Sequence, residues 1–147
     1  MLPMKAVALG AVVVALSATH SPAQSLCAGI KDVLSIFGTR DLGKLKGKLL
    51  PGMSECSLIE QGIQAFYRCS QTLPSRSAVT TRAKEIETAI KQCFPKATAN
   101  RASSTLTNYY LEAGDPSVVI FVSSHFDEFG KTTYKVETAM QGVWKKR

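Results

Sequence analysis

The sequence predicts an α+β domain in which three N-terminal amphipathic helices, stapled by two disulfides, precede a small three-stranded antiparallel sheet. Three observations carry that expectation. Apolar residues recur at helical spacing up to about residue 94 and at a spacing of two beyond residue 104; the first period is that of a helix and the second that of a strand. The two patterns occupy separate blocks, as in folds that segregate helices from sheet. Four cysteines follow an N-terminus that reads as an export leader, and an even count in an exported chain reads as a disulfide framework.

The leader comes first. Lys5 precedes an apolar run from Ala6 to Leu16, and small and polar residues follow. The run is too short to cross a hydrocarbon core of about 30 Å, and it has the flanks of a signal-peptide core. Ser21 and Ala23 form a small-x-small site, so cleavage is expected after Ala23. That divides the chain into a signal peptide, 1–23, and one domain, 24–147, with helices in 25–94, a linker at 95–104 and strands in 105–140. Leu26 stands before Cys27, where a lipoprotein signal needs a small residue. The mature chain has no apolar run long enough to span a membrane. Its expected location is the periplasm or the exterior. Losing Lys5 leaves 17 basic against 11 acidic residues, a net charge of +6. That balance favours an acidic exported protein or an anionic envelope surface; no nucleic acid is expected.

The first helix is expected in "SLCAGIKDVLSIFG", where Leu26, Ile30, Val33, Leu34 and Phe37 form one stripe, Ser25 caps and Gly38 ends. "TRDLGKLKGKLLPGM" has three glycines and a proline and reads as a basic loop. The second helix is expected in "SLIEQGIQAFYRCSQTL". Ile59, Ile63, Phe66 and Leu73 share a helical face there, and Ser57 with Glu60 fits a capping box. "PSRSAVTTRAKEIETAIKQCF" is the third, with Val79, Ala83, Ile86, Ile90 and Cys93 in line and Pro95 as the stop. After the polar linker, "TLTNYYLEA", "VVIFVSSHF" and "TTYKVETAM" read as strands. The second is apolar on both faces at Val118 to Val122, which marks a central strand. Trp144 in the tail is expected to dock on the domain.

Successive helices joined by short loops pack antiparallel. On that basis the start of the first helix meets the end of the second, giving Cys27–Cys69, and the start of the second meets the end of the third, giving Cys56–Cys93. The cysteine gaps of 29, 13 and 24 positions lack the close pairs of a structural zinc site, so no metal is expected.

The stretch "SSHFDE" places Ser123, His125 and Asp127 two apart, on one face of a strand. A three-residue loop, Glu128 to Gly130, would set Asp127 opposite Lys131, His125 opposite Thr133 and Ser123 opposite Lys135. That register keeps apolar against apolar and yields a polar recognition strip of Ser123, His125, Asp127, Lys131 and Lys135. A nucleophilic triad additionally needs an oxyanion hole and a pocket that excludes water; no serine sits in a G-x-S-x-G elbow. No catalytic residue is assigned. "GTRDLGKLKGK" lacks the G-x-x-x-x-G-K-[ST] spacing of a phosphate loop, and no cofactor is expected. Arg40, Lys44, Lys46 and Lys48 are the candidate contacts to an anionic partner.

The expected function is therefore an exported, non-enzymatic binding or accessory protein, inhibitor-like or immunity-like, that recognises an acidic or envelope partner. The first alternative is a small exported hydrolase with a site near His125. The second is a structural protein attached to the envelope.

Overall fold

The computed structural model describes residues 21–127 and 133–146. Within them the fold differs from the expectation. There are two helices and one six-stranded antiparallel sheet, so the domain is mostly sheet. In chain order the elements are α1 (Pro22–Thr39), a 3-10 turn (Leu42–Leu45), β1 (Glu55–Gln61), β2 (Gln64–Leu73), α2 (Arg76–Cys93), β3 (Thr98–Ser103), β4 (Leu106–Tyr110), β5 (Ser117–Asp127) and β6 (Thr133–Val143). The strands run in the order β1-β2-β6-β5-β4-β3. The two longest, β5 and β6, lie at the centre.

The first and third expected helices form. Ser21 caps α1 in a reciprocal capping box with Gln24, and Pro22 opens the first turn. Leu26, Ile30, Val33, Ile36 and Phe37 are buried along it. Ser75 caps α2, which buries Val79, Ile86, Ala89 and Ile90.

The second expected helix does not form; its residues make the β1–β2 hairpin. Ala65, Tyr67 and Cys69 are buried while Phe66 and Arg68 between them are not. That is the period of a strand. Gly62 has φ 60° at the first position of the two-residue loop between Gln61 and Gln64, the backbone region that a type II′ hairpin turn reserves for glycine. The expected linker is also a strand: β3 pairs with β4 from Thr98 to Ser103 and is exposed throughout. All three expected strands are present as β4, β5 and β6.

Both disulfide pairings are corrected. Cys27 bonds Cys93, and Cys56 bonds Cys69. The first joins the start of α1 to the end of α2. With the middle helix gone, α1 packs directly on α2, and Cys93 becomes the helix-end cysteine that Cys27 meets. The second joins directly opposed residues of the hairpin, where Cys56 faces Cys69 in register.

Residues 40–53 are not a solvated linker. Leu45, Leu50 and Met53 are buried in the core, and the Tyr67 hydroxyl donates to the Lys48 carbonyl. At the other end of the chain Trp144 is 5% exposed. It packs edge-on against Phe37 at 5.8 Å and donates Nε1–H to the Phe37 carbonyl. Gly142 makes this possible, since a Cβ there would stand 2.9 Å from the Phe37 ring.

Candidate functional site

Strand parity divides the sheet into two surfaces. Val136, Met140, Ile120, Val122 and Tyr67 point toward the helices and are buried. The residues between them make the other, open face. On it the register lays out one largely apolar row, Ile59–Phe66–Gln141–Val119–Tyr110, and one mixed row, Ser57–Arg68–Ala139–Phe121–Asn108. Ile59 and Tyr110, at opposite ends of the first row, are 41% and 43% exposed. The next row, Glu55–Ser70–Glu137–Ser123–Leu106, is polar except for Leu106.

The strip that opens the question of catalysis lies on this face. The observed register pairs Asp127 with Thr133, His125 with Lys135 and Ser123 with Glu137. It is offset by two residues from the expected one, so the expected neighbours change while the face does not. Lys131 lies outside the described residues. Ser123 Oγ stands 3.1 Å from His125 Nε2. Glu137 Oε2 approaches the same nitrogen at 4.0 Å, and Glu137 Oε1 is paired to Arg68 Nε at 3.1 Å. In a triad the acid holds the ring nitrogen opposite the one that receives the nucleophile's proton. Here hydroxyl and carboxylate share one nitrogen. His125 is exposed, on a surface that offers no enclosure to exclude water. The group therefore forms a polar row, Ser123–His125–Glu137–Arg68, in which Ser123 is hydrogen-bonded to His125 and Glu137 is ion-paired to Arg68.

The basic loop holds its charges close. The Arg40 guanidinium lies 5.0 Å over the Trp144 ring. Lys44 pairs with Asp41 at 3.0 Å, and Lys48 pairs with Asp32. Lys46 is exposed. Of the four expected anion contacts, three have a partner within the chain, at the surface.

A second feature was not legible in the sequence. Helix α2 packs on α1 and, across the sheet, chiefly on β5 and β6. Between its outer side and the β3–β4 edge of the sheet lies a cleft of about 490 Å³. One wall is the helical row Arg76, Thr80, Lys84 and Glu87; Arg101 stands on the other. Val122, Ser124 and Phe126 come from the helix-facing side of β5, and Thr107 from β4. Arg76 stacks on the Phe126 ring at 4.2 Å. Tyr109, two residues beyond Thr107, is 1% exposed, and its hydroxyl has no hydrogen-bond partner among the described residues. Burial, aided by Glu87 and opposed by Arg101, pushes its pKa up to about 12. The helical row on α2 has a 3.6-residue spacing that sequence can reveal. Its opposite wall was hidden because residues 95–104 read as linker.

Among the described residues no group of three or more His, Cys, Asp or Glu is placed to hold a metal ion. No helix among them is long and apolar enough to cross a membrane. Comparisons with protein-family models, curated proteins and solved structures find no match to this chain.

Proposed function

We propose that this chain is an exported, non-enzymatic binding protein that recognises another exported protein through the open face of its sheet. The observation that carries the reading is the juxtaposition on that face. Apolar side chains from five strands lie beside the Ser123–His125–Glu137–Arg68 row. Protein interfaces combine an apolar, aromatic-rich centre with a polar, hydrogen-bonding rim, and a rigid surface loses little ordering entropy on association. Two disulfides and a strand-rich core supply the rigidity, and they are compatible with an exported chain. The net positive charge favours an acidic partner. The basic loop enters this reading as a folded support, because most of its cations already have partners.

The test is affinity capture from cell-envelope extract with the oxidised protein, followed by variants. Ile59→Lys with Tyr110→Glu changes two exposed positions on the open face. It is expected to abolish capture of the wild-type partner and leave the fold intact. Replacing Lys44, Lys46 and Lys48 by glutamine is expected to leave capture largely unchanged. The opposite pattern would move recognition to the loop and overturn the reading.

The Ser123–His125 contact at 3.1 Å keeps a hydrolase as the second reading. It requires a hydrolysis that the oxidised protein performs and that His125→Ala removes without unfolding the domain.

A further inference from the structure

We propose that the cleft between α2 and the β3–β4 edge binds a small organic monoanion with an apolar body, of the medium-chain carboxylate class. The cleft lies on the helix side of the sheet, away from the open face, and stands independently of partner recognition there. Its volume of about 490 Å³ falls within the range of about 300–1,000 Å³ typical of small-molecule sites.

Charge selects the sign. Three cations, Arg76, Lys84 and Arg101, line the cleft with one carboxylate, Glu87. Arg76 is held over Phe126, and Arg101 donates to the Ser104 carbonyl at 2.9 Å, so both guanidinium groups are fixed at the walls. Such groups bind a carboxylate better when their geometry is set in advance. Glu87 limits the charge. The net positive lining attracts an anion, and it is the apolar floor that favours a carboxylate carried on an apolar body over inorganic phosphate.

The floor selects the body. Val122, Phe126 and Ala83 present apolar surface below the cations, and Thr80, Thr107 and Ser124 interrupt it with hydroxyls. The half-apolar, half-hydroxyl lining matches a chain that ends in an oxygenated head.

Octanoate is the probe, with octanol and inorganic phosphate as controls, measured by titration calorimetry on the oxidised protein. Octanoate is expected to bind saturably, octanol at least about tenfold more weakly, and millimolar phosphate not to displace octanoate. Lys84→Gln with Arg101→Gln changes two exposed side chains and is expected to weaken octanoate about tenfold or more with little effect on octanol. Thr80→Trp plugs the cleft without removing a charge and is expected to abolish binding of both. The Ile59→Lys, Tyr110→Glu variant of the open face is expected to bind octanoate as wild type does, so failure here is separable from failure of partner recognition. The proposal is overturned if octanoate does not bind at millimolar concentration, if octanol binds equally well, if phosphate competes, or if either cleft variant binds octanoate unchanged.

Discussion

The two disulfides differ in how much chain each one closes, which orders the cost of removing them. Cys27–Cys93 spans 66 residues and joins α1 to α2. Cys56–Cys69 spans 13 residues inside a hairpin. Loop-closure entropy gives about 4 kcal/mol for the first and about 3 kcal/mol for the second at 25 °C. Native structure widens the gap. The hairpin already holds Cys56 opposite Cys69 through a ladder of seven residue pairs from Glu55↔Ser70 to Gln61↔Gln64. No strand ladder ties α1 to the rest of the fold. Its hold is the packing of Leu26, Ile30, Val33 and Phe37, together with the bridge. The perturbations are the double variants Cys27→Ala/Cys93→Ala and Cys56→Ala/Cys69→Ala. The assay is urea unfolding of the oxidised proteins, followed by the fluorescence of Trp144, the single tryptophan, which packs on the last turn of α1. The first variant is expected to lose about 4 kcal/mol, a large share of a typical domain stability of about 5–15 kcal/mol. The second is expected to lose less, even though Cys69 is fully buried. Equal losses, or a larger loss for the hairpin variant, would refute the reasoning. Non-reducing peptide maps linking Cys27 to Cys69 would refute its premise.

Three further outcomes follow from the packing. Gly142→Val places side-chain atoms against the Phe37 ring, which a Cβ alone would approach to 2.9 Å; overpacking of this kind costs about 1–3 kcal/mol and is read from the urea midpoint at Trp144. The Tyr109 pKa is raised by burial from 10.0 to about 12, so the folded state favours the neutral phenol; that contribution is intact below pH 10 and is lost as pH rises toward 12. Tyr109→Phe is expected to reduce the alkaline fall in stability, and a pH series of urea midpoints in which the two proteins fall in parallel would refute this. Finally, the expected cleavage point after Ala23 lies inside the first turn of α1, so a chain beginning at Gln24 lacks the Ser21 capping box. It is expected to be less stable by about 0.5–2 kcal/mol than a chain beginning at Ser21, and N-terminal sequencing of exported protein locates the true start.

The legibility of the fold tracks how strongly each segment's pattern excludes alternatives. Helices α1 and α2 carry apolar stripes of five positions with caps, and strand pairing offers no comparable use for them. The β1–β2 hairpin carries two patterns at once. Ile59, Ile63, Phe66 and Leu73 fit a helical face, while Ala65, Tyr67 and Cys69 fit a strand. Two adjacent aromatics, Phe66 and Tyr67, blur the alternation, because one faces the open side and the other the core. Gly62 was the deciding signal: a glycine is costly in the middle of a helix and suited to the first position of a tight hairpin loop. Once the hairpin is read, Cys56 and Cys69 fall opposite each other without further assumption. Strand β3 had no such signal. Its six residues are exposed on both faces, so no burial pattern distinguishes it from a polar linker. With β3 unread, the second wall of the cleft was unread too.

Strand β5 makes the same point about sites. Shifting the β5–β6 register by two residues changed every cross-strand neighbour of Ser123, His125 and Asp127 but left their face unchanged, because side-chain direction has a period of two. Parity is thus legible where register is not. It also fixes how the strand is shared. Phe121, Ser123 and His125 belong to the open face, while Val122, Ser124 and Phe126 belong to the helix side and its cleft. The acid beside His125 could not be named in advance, since Glu137 sits twelve residues along the chain on β6 and reaches His125 only through the register. Glu137 is also more enclosed than the two groups it approaches, at 21% side-chain exposure against 51% for Arg68 and 54% for His125. Its pairing with Arg68 on one side and its approach to His125 on the other hold a guanidinium from β2 and an imidazole from β5 at fixed places on the open face. A surface built that way resists the side-chain ordering cost that a partner would otherwise impose, which is the physical reason to look for recognition there before looking for catalysis.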